Sequence, residues 1–320
     1  MSDKAQNASS SKRKIRRGSA PDFVRRLFRE KPMGAFGGMI FLILLITGIF
    51  ADFLAPYHYN AGDISMRFYP PSPEHILGTD ELGRDIFSRI IYGAQLSLIV
   101  GFSATAIATI ISTIIGITTG YIGGKFDMYT QRFVDAWMCL PPIVVLMVLV
   151  SIVGAGIVQL ILILGIIGSI GASRITRSVV ITVKESVYVK AAEAIGVSTL
   201  RILTHHILPN IMYIVIVGFS MAIAGNIMAE ATLSFLGMGI PAPYPSWGGM
   251  LSGPGRKYLF HYPMLSVWPG LALTIVVFGI NMFGDAVNDL LDPSLRGGIG
   301  SYSGESEKRS FVRLIKKLFK

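Results

Sequence analysis

Long apolar stretches alternate with polar segments along this chain. Each stretch is close to the roughly 20 residues that a helix needs to cross about 30 Å of hydrocarbon. The stretches cover residues 34–55, 96–120, 134–153, 156–173, 211–236 and 265–287. Only Gly154, Ala155 and Gly156 separate the third from the fourth. The pattern predicts an all-α membrane protein with six transmembrane helices.

Composition supports the same class of protein. The chain is 52% hydrophobic and 15% charged, with a mean hydropathy of +0.57. Its net charge of +10 is concentrated in two basic tails, residues 1–33 and 291–320. Both tails have the pattern of amphipathic helices that lie on anionic lipid at the cytoplasmic surface. No nucleic-acid motif accompanies the charge, so we expect the lipid bilayer and no nucleic acid as a partner.

The distribution of Lys and Arg predicts the orientation of the chain. With both termini in the cytoplasm, 24 Lys and Arg residues lie on the inside and 5 on the outside. Cytoplasmic loops carry such an excess of positive charge. The basic segment before the first span is long and lacks a cleavage pattern, so we interpret that span as uncleaved. The polar loop 174–210 is therefore predicted to be cytoplasmic.

The loop segment Tyr188–Asn210 has the pattern of two short helices joined by a turn. Its sequence is YVKAAEAIGVSTLRILTHHILPN. Small apolar residues precede Gly196, which can adopt the left-handed conformation that ends a helix. Ser198 or Thr199 can cap the following helix. Pro209 lies where the next helix is predicted to start.

This segment resembles the cytoplasmic EAA loop of bacterial ABC-importer permeases, which docks on the partner ATPase. The family pattern is Glu-Ala-Ala, three residues, Gly, nine residues, Ile, one residue and Leu-Pro. Lys190 stands at the Glu position and His206 at the Ile position. The resemblance implies an ATPase-coupling role for a set of loop residues: Ala191, Ala192, Glu193, Ala194, Gly196, His206, Leu208 and Pro209.

A second segment, LGTDELGRDIFSRIIYGAQLSL, covers residues 77–98. It resembles the entry to the transmembrane domain of oligopeptide and dipeptide permeases. Its charged residues are predicted to form a local ion-pair network with helical i,i+4 contacts. We interpret them as bracing an external helix, with direct contact to an external receptor as the alternative. The residues of this external signature are Asp80, Arg84, Asp85 and Arg89.

Residues 229–251 and 281–297 resemble the C-type subunit of the peptide-importer pair. Together the similar segments extend from Phe23 to Arg296. The chain is therefore identified as similar to the type I ABC-importer membrane subunits of the peptide/nickel class. The resemblance implies a pore-forming subunit in the bacterial cytoplasmic membrane. Its expected partners are a related B-type permease in a heterodimer, two ATPase subunits that bind ATP and Mg, and an external solute-binding protein.

The predicted organisation has four parts along the chain. They are a basic cytoplasmic tail with an amphipathic helix (1–33), the first span and an external segment (34–95), the importer transmembrane domain with the coupling loop 174–210 (96–290), and a basic cytoplasmic tail (291–320). Gly116 and Gly120 lie four residues apart, a spacing that permits close helix packing.

Acidic residues within apolar stretches are candidates for function, because charge inside a bilayer is costly. Asp135 is predicted at the cytoplasmic interface. Glu230 lies deeper, and we expect it to make a polar contact between helices or to line the translocation path. The single Cys139 supports no disulfide framework or metal site by itself.

Two other classes of function were weighed against an importer subunit. An ion channel or proton-coupled carrier needs ionisable residues deep in several spans, and only Glu230 meets that criterion. A membrane-bound enzyme needs a nucleophile–base or metal constellation, and the sequence offers none. We therefore expect no enzymatic activity and no bound cofactor in this chain. For the solute, oligopeptides or dipeptides are the first expectation, and nickel or another small solute is the alternative.

Overall fold

The computed structural model describes residues 20–291, and these residues form helices and connecting loops without a β-strand. The helices in chain order are α1 (Ala20–Glu30), α2 (Pro32–Ile49), α3 (Ala51–Leu54), α4 (Ile86–Ile122), α5 (Gly124–Met138), α6 (Pro142–Val153), α7 (Ile157–Lys184), α8 (Val187–Ala194), α9 (Thr199–Arg201), α10 (Leu208–Phe235), α11 (Trp247–Met250) and α12 (Met264–Leu291). Residues 64–66 form a 3₁₀ turn, and residues 202–207 and 251–255 form π-helical turns. The predicted basic tails lie largely outside the described residues.

Five helical segments are long and apolar enough to cross a membrane. They are α2, α4, α7, the continuous segment Thr199–Phe235, and α12. The predicted third span, 134–153, is not one helix: α5 and α6 meet at an angle of 90°. Pro141 and Pro142 explain the break, because proline lacks a backbone N–H and disfavours helix in the residue before it. The six-span prediction is met when this bent pair counts as one span.

Two spans are longer than the apolar pattern predicted. The second was expected at 96–120, but α4 begins at Ile86, where the Asp85 side chain accepts a hydrogen bond from the Ser88 amide. The fifth was expected at 211–236, but the helix already starts at Thr199 in the coupling loop. Apolar length marks only the part of a helix within hydrocarbon, so caps and polar turns extend these helices beyond it.

The most extensive helix contact among the described residues joins α4 and α7. A Cβ added to Gly120 would lie 2.9 Å from the Cβ of Val180. Gly165 on α7 leaves equally little space, since an added Cβ would lie 2.7 Å from Ile107. Small residues at a membrane helix interface let the backbones approach and increase van der Waals contact. The predicted packing role of Gly116 and Gly120 is confirmed.

The cytoplasmic ends of α2 and α12 are held together by α1. Leu27 is buried in a cluster with Ala286 and Leu290 of α12. Lys31, between α1 and α2, donates a hydrogen bond to the Asp289 carboxylate. The basic amphipathic helix predicted for the N-terminal tail therefore packs on the protein with one face. On the exposed side of α1, a hydrogen bond from the Arg26 side chain lowers the pKa of the Glu30 carboxyl group.

The loop before α12 inserts a short helix between the spans. The loop contains five prolines, which disfavour a regular helix, and α11 is a single turn. Trp247 of α11 is buried and donates a hydrogen bond to the Ile90 carbonyl at 3.1 Å. Gly248 packs against the backbone of Ala231. These contacts fix the outer ends of α4 and α10 to one another.

Replacing Gly116 with valine tests the α4–α7 contact. The new Cβ would lie 2.5 Å from the Cβ of Thr176 and 2.8 Å from the Ser173 carbonyl oxygen. Overpacking of this kind costs about 1–3 kcal/mol. We expect a lower thermal unfolding temperature in detergent than for the wild type. Gly171→Val is the matched control because its Cβ meets no atom within 4 Å; equal destabilisation by both variants would contradict the close contact.

Candidate functional site

The cytoplasmic loop between α7 and α10 forms a helix, a turn and a second helix, as predicted. The first helix, α8, ends at Ala194, and Gly196 follows with a φ of +78°. Ser198 is in the N-cap position of the next helix, although its side chain makes no capping hydrogen bond. The Val197 amide donates to the Ala192 carbonyl at 3.1 Å, which closes the turn around Gly196. The prediction of a left-handed glycine is confirmed.

The second half of the loop places Pro209 in the first turn of α10, where a helix was predicted to start. The helical path is nevertheless continuous from Thr199 into the membrane span. The π-helical turn Ile202–Ile207 directly precedes Leu208 and Pro209. A π turn contains one extra residue and shifts the hydrogen-bond pattern. The missing N–H of Pro209 falls at the junction between the π turn and α10. The helix therefore accommodates the proline without a break.

The loop has a buried face and an exposed face. Val189, Ile202 and Ile207 are almost completely buried in one cluster with Val180 of α7. Ala192 belongs to this cluster and is only 6% exposed. It was predicted to contact the ATPase, but the structure places it inside the loop, because residues three and four apart share one side of a helix. The Ala192 side chain therefore packs against the loop's own cluster in this structure.

The exposed face of the loop carries large apolar side chains among polar ones such as Lys190 and Arg201. Val187, Ile195 and Leu200 are 85%, 81% and 72% exposed. Ala191 and Ala194, two of the predicted coupling residues, are also exposed and lie beside them. Exposed apolar side chains clustered in this way are typical of a surface that binds a partner. We call Val187, Ala191, Ala194, Ile195 and Leu200 the outer face of the loop.

Polar contacts fix α8 to the cytoplasmic end of α4. The Tyr121 hydroxyl donates a hydrogen bond to the Glu193 carboxylate at 3.0 Å. Lys184 at the end of α7 donates to the Tyr121 carbonyl at 2.6 Å. Tyr121 was missed in the sequence, because it lies 72 positions from Glu193 and no local pattern connects them.

The other predicted loop residues have structural contacts of their own. His206 is half-buried, and its carbonyl accepts a hydrogen bond from the Asn210 side chain at 2.6 Å. Leu208 packs against the buried cluster of the loop, and Pro209 is exposed. Lys190, at the position of the family's Glu, pairs with Glu185 at 3.1 Å. The loop is thus built around its own contacts, and the outer face is left for a partner.

The external signature forms a compact ion-pair network. The Asp80 carboxylate accepts from the Arg84 side chain at 2.7 Å and lies 3.6 Å from Arg89. Asp85 lies 3.0 Å from His75 and caps α4. These residues were expected to make helical contacts that brace an external helix. Instead, residues 78–85 form a bridged turn at the N-terminus of α4, and the network is largely buried, so it braces the second span itself.

The two acidic candidates within the apolar stretches have different surroundings. Asp135 is partly exposed on α5 and pairs with Arg174 of α7. The neighbouring pair Asp127–Arg177 joins the same two helices. Glu230 is completely buried near the outer end of α10, where it accepts a hydrogen bond from Ser234 at 2.7 Å. Its partner Ser234 lies one turn further along α10 itself, so this hydrogen bond does not join two helices, and the second carboxylate oxygen is buried without a hydrogen-bond partner among the described residues.

A groove of about 500 Å³ lies between α4, α7 and α10. Glu230 and Asp135 do not line it. Most of its lining residues are small or carry a hydroxyl group, most of its surface is apolar, and no sequence motif indicated it. Residues on three helices contribute: Ala108, Thr109, Ser112, Thr113, Gly168, Ala172, Ile175, Thr176, Ile214, Val215, Gly218, Phe219, Met221, Ala222, Gly225 and Asn226.

Comparison with known families places these features in context. Residues 112–297 match the model of the "binding-protein-dependent transport system inner membrane component" family. Residues 22–71 match the "N-terminal TM domain of oligopeptide transport permease C". The chain therefore belongs to the inner-membrane components of binding-protein-dependent transport systems. These proteins are the pore-forming membrane subunits of ABC importers, which work with ATPase and binding-protein partners.

Individual relatives are similar over most of their length. The chain is 37% identical to the dipeptide transport system permease protein of Alkalihalophilus pseudofirmus, over 84% of this chain and 88% of the relative. It is 35% identical to the oligopeptide transport system permease protein of Bacillus subtilis, with the same coverage. The glutathione transport system permease protein of Escherichia coli O1:K1 / APEC is 35% identical, over 87% of this chain and 94% of the relative.

Replacing Tyr121 with phenylalanine tests the attachment of α8. The variant removes only the hydroxyl group that donates to Glu193, and such a bond contributes about 1 kcal/mol. We expect amide hydrogen exchange in α8 to become about fivefold faster, a factor that corresponds to that energy. Tyr129→Phe on the exposed surface of α5 is the control. Unchanged exchange in both variants would show that the Tyr121 hydroxyl does not hold the loop.

Proposed function

We propose that this chain is the peptide-translocating permease subunit of an ATP-driven importer, coupled to its ATPases through the outer face of the loop. The exposed apolar cluster around Ile195 is the observation that carries the coupling role. Each of its large side chains contributes roughly 1.5–3 kcal/mol when a partner buries it fully. The dipeptide, oligopeptide and glutathione permeases similar to this chain support short peptides as the solute.

The loop can transmit movement because its two halves are connected differently. α8 is joined to the ends of α4 and α7 by Tyr121 and Lys184. The second half runs as one continuous helix from Thr199 to Phe235. Leu200 of the outer face lies on this helix, so an ATPase that displaces Leu200 also moves α10. Rigid movements of this kind produce alternating access in transporters.

The proposed assembly has two permease domains and two ATPases. Because this chain contributes one bundle of spans and one coupling loop, it pairs with a related B-type permease. ATP and Mg bind to the ATPase subunits, and an external binding protein delivers the solute. A purified complex that contains this chain as its only permease and still transports would contradict the heterodimer.

Ala191→Trp tests the coupling role of the outer face. The exposed alanine becomes a bulky side chain where close approach to an ATPase is needed, whereas the buried cluster of the loop is left intact. We expect the complex to reach the membrane but to lose at least about tenfold in ATPase affinity, or roughly 1.4 kcal/mol. Ala61→Trp, at an exposed site in the external segment, is the control.

Gly196→Val provides an independent second variant. Its φ of +78° is unfavourable for a β-branched residue, at a cost of about 1–2 kcal/mol. Copurification of the ATPases and solute-stimulated hydrolysis should both fall. If both variants express normally and retain full uptake, the proposed coupling role is wrong.

Cysteine labelling tests the orientation, with both termini proposed to lie in the cytoplasm. In a Cys139→Ala background, a cysteine at Ser72 in the first external segment should react with a membrane-impermeant maleimide added to whole cells. A cysteine at Ser301, in the C-terminal tail outside the described residues, should react only in inverted vesicles. The excess of Lys and Arg in the cytoplasmic segments is the physical reason for this orientation. Reversed labelling at either position would contradict it.

A further inference from the structure

The groove between α4, α7 and α10 lies about halfway along these helices. Met221 and Ala222 are at the midpoint of α10, and both line it. Gly168 and Ala172 line it from the middle of α7. These residues place the groove near the middle of the membrane, on the helix that continues directly from the coupling loop.

Polar groups in the groove argue against contact with lipid. Asn226, Thr109 and Thr113 are partly exposed to it. An amide or hydroxyl group that faces hydrocarbon without a partner costs several kcal/mol. Such groups are tolerated at this depth where they line a water-filled cavity.

The shape of the groove is maintained by glycines on α10. Gly218 and Gly225 lie seven positions apart and share one side of the helix. A Cβ added to either residue would meet no atom within 4 Å. Close packing within the subunit therefore does not require glycine here, in contrast to Gly116 on α4. Their effect is to leave an open channel along the helix surface.

Asn226 is held in place by a buried hydrogen bond. Its side-chain nitrogen donates to the Thr105 hydroxyl at 2.8 Å, and that hydroxyl donates to the Gly101 carbonyl at 2.6 Å. The nitrogen of the amide is thus bound to α4, and its oxygen remains available to a molecule in the groove. An amide can both donate and accept hydrogen bonds, as a peptide backbone does.

We propose that this groove is the wall contributed by the chain to the translocation path, and that Asn226, Thr109 and Thr113 hydrogen-bond the backbone of the passing peptide. This inference rests on the proposed function and adds the contact surface and the chemistry that it recognises. None of the lining residues is charged. A neutral wall neither attracts nor repels charged side chains, so it admits acidic, basic and neutral peptides alike.

Cysteine accessibility tests the location of the path independently of the solute. In the assembled complex with Cys139→Ala, we compare Ala222→Cys, which lines the groove, with Ser220→Cys on the other side of α10. The probe is a charged, water-soluble methanethiosulfonate reagent. We expect Ala222→Cys to react at least about tenfold faster and its modification to block uptake. Equal, slow reaction at both positions would overturn the proposal and indicate a groove covered by a partner helix or lipid.

Charge selectivity tests the role of Asn226. Asn226→Asp keeps the size of the side chain and adds a negative charge to the wall. We expect uptake of a glutamate-containing dipeptide to fall at least about tenfold relative to a lysine-containing one, whereas the wild type moves both. An unchanged ratio, with or without a general loss of uptake, would overturn the proposed solute contact and leave Asn226 a structural role.

Gly225→Leu tests the proposal by placing a large side chain in the groove, and Ser220→Leu is its matched control. Filling the groove should stop uptake while basal ATP hydrolysis and ATPase copurification are retained. Normal uptake with Gly225→Leu would also overturn the proposal. If the wild-type complex transports neither dipeptide, the peptide assignment under the proposed function fails, whereas the accessibility result still decides whether the groove is the path.

Discussion

The close approach of α4 and α7 is the constraint on which the rest of the structure depends. Gly116 and Gly120 allow the two backbones to meet where side chains would otherwise separate them. Since hydrophobic burial does not drive helix association inside lipid, such contacts supply much of the packing energy. The pair also determines what lies at its ends, since Tyr121 and Lys184 are brought together there and hold the loop between α7 and α10.

Features that depend on local chemistry could be predicted from the sequence. The apolar stretches predicted the spans, and Gly196 predicted the turn, because a left-handed conformation favours glycine wherever it occurs. Whether Ala192 is buried or exposed could not be predicted, since it depends on which face of α8 packs against α7. The partners of Asp80 and Glu230 are local by contrast, since Arg84 and Ser234 each lie four positions further along the chain. The groove was missed because small and hydroxyl residues give no distinctive sequence signal.

The contacts between the helices of the subunit fall into two groups, buried ones and more exposed ones. Buried ion pairs at Asp80 and the inserted Trp247 fix the outer ends of the helices. At the cytoplasmic side, the ion pairs of Asp127 and Asp135 are more exposed and join α5 to α7. Water screens exposed pairs, so they contribute less energy and separate more readily than buried ones. The inner half of the bundle is therefore the easier part to rearrange.

The π-helical turn at Ile202–Ile207 also determines how the outer face of the loop and the groove are rotated relative to one another around the helix axis. Each residue advances an α-helix by about 100°, and a π turn amounts to one inserted residue. Leu200 in the loop and Ala222 in the groove therefore point in directions separated by a certain angle around the helix axis. In an uninterrupted α-helix this angle would differ by about 100°. A length change of one residue between them would rotate Leu200 by about 100° relative to the groove. The extra residue thus sets the direction in which the exposed apolar side chain of Leu200 faces relative to the groove.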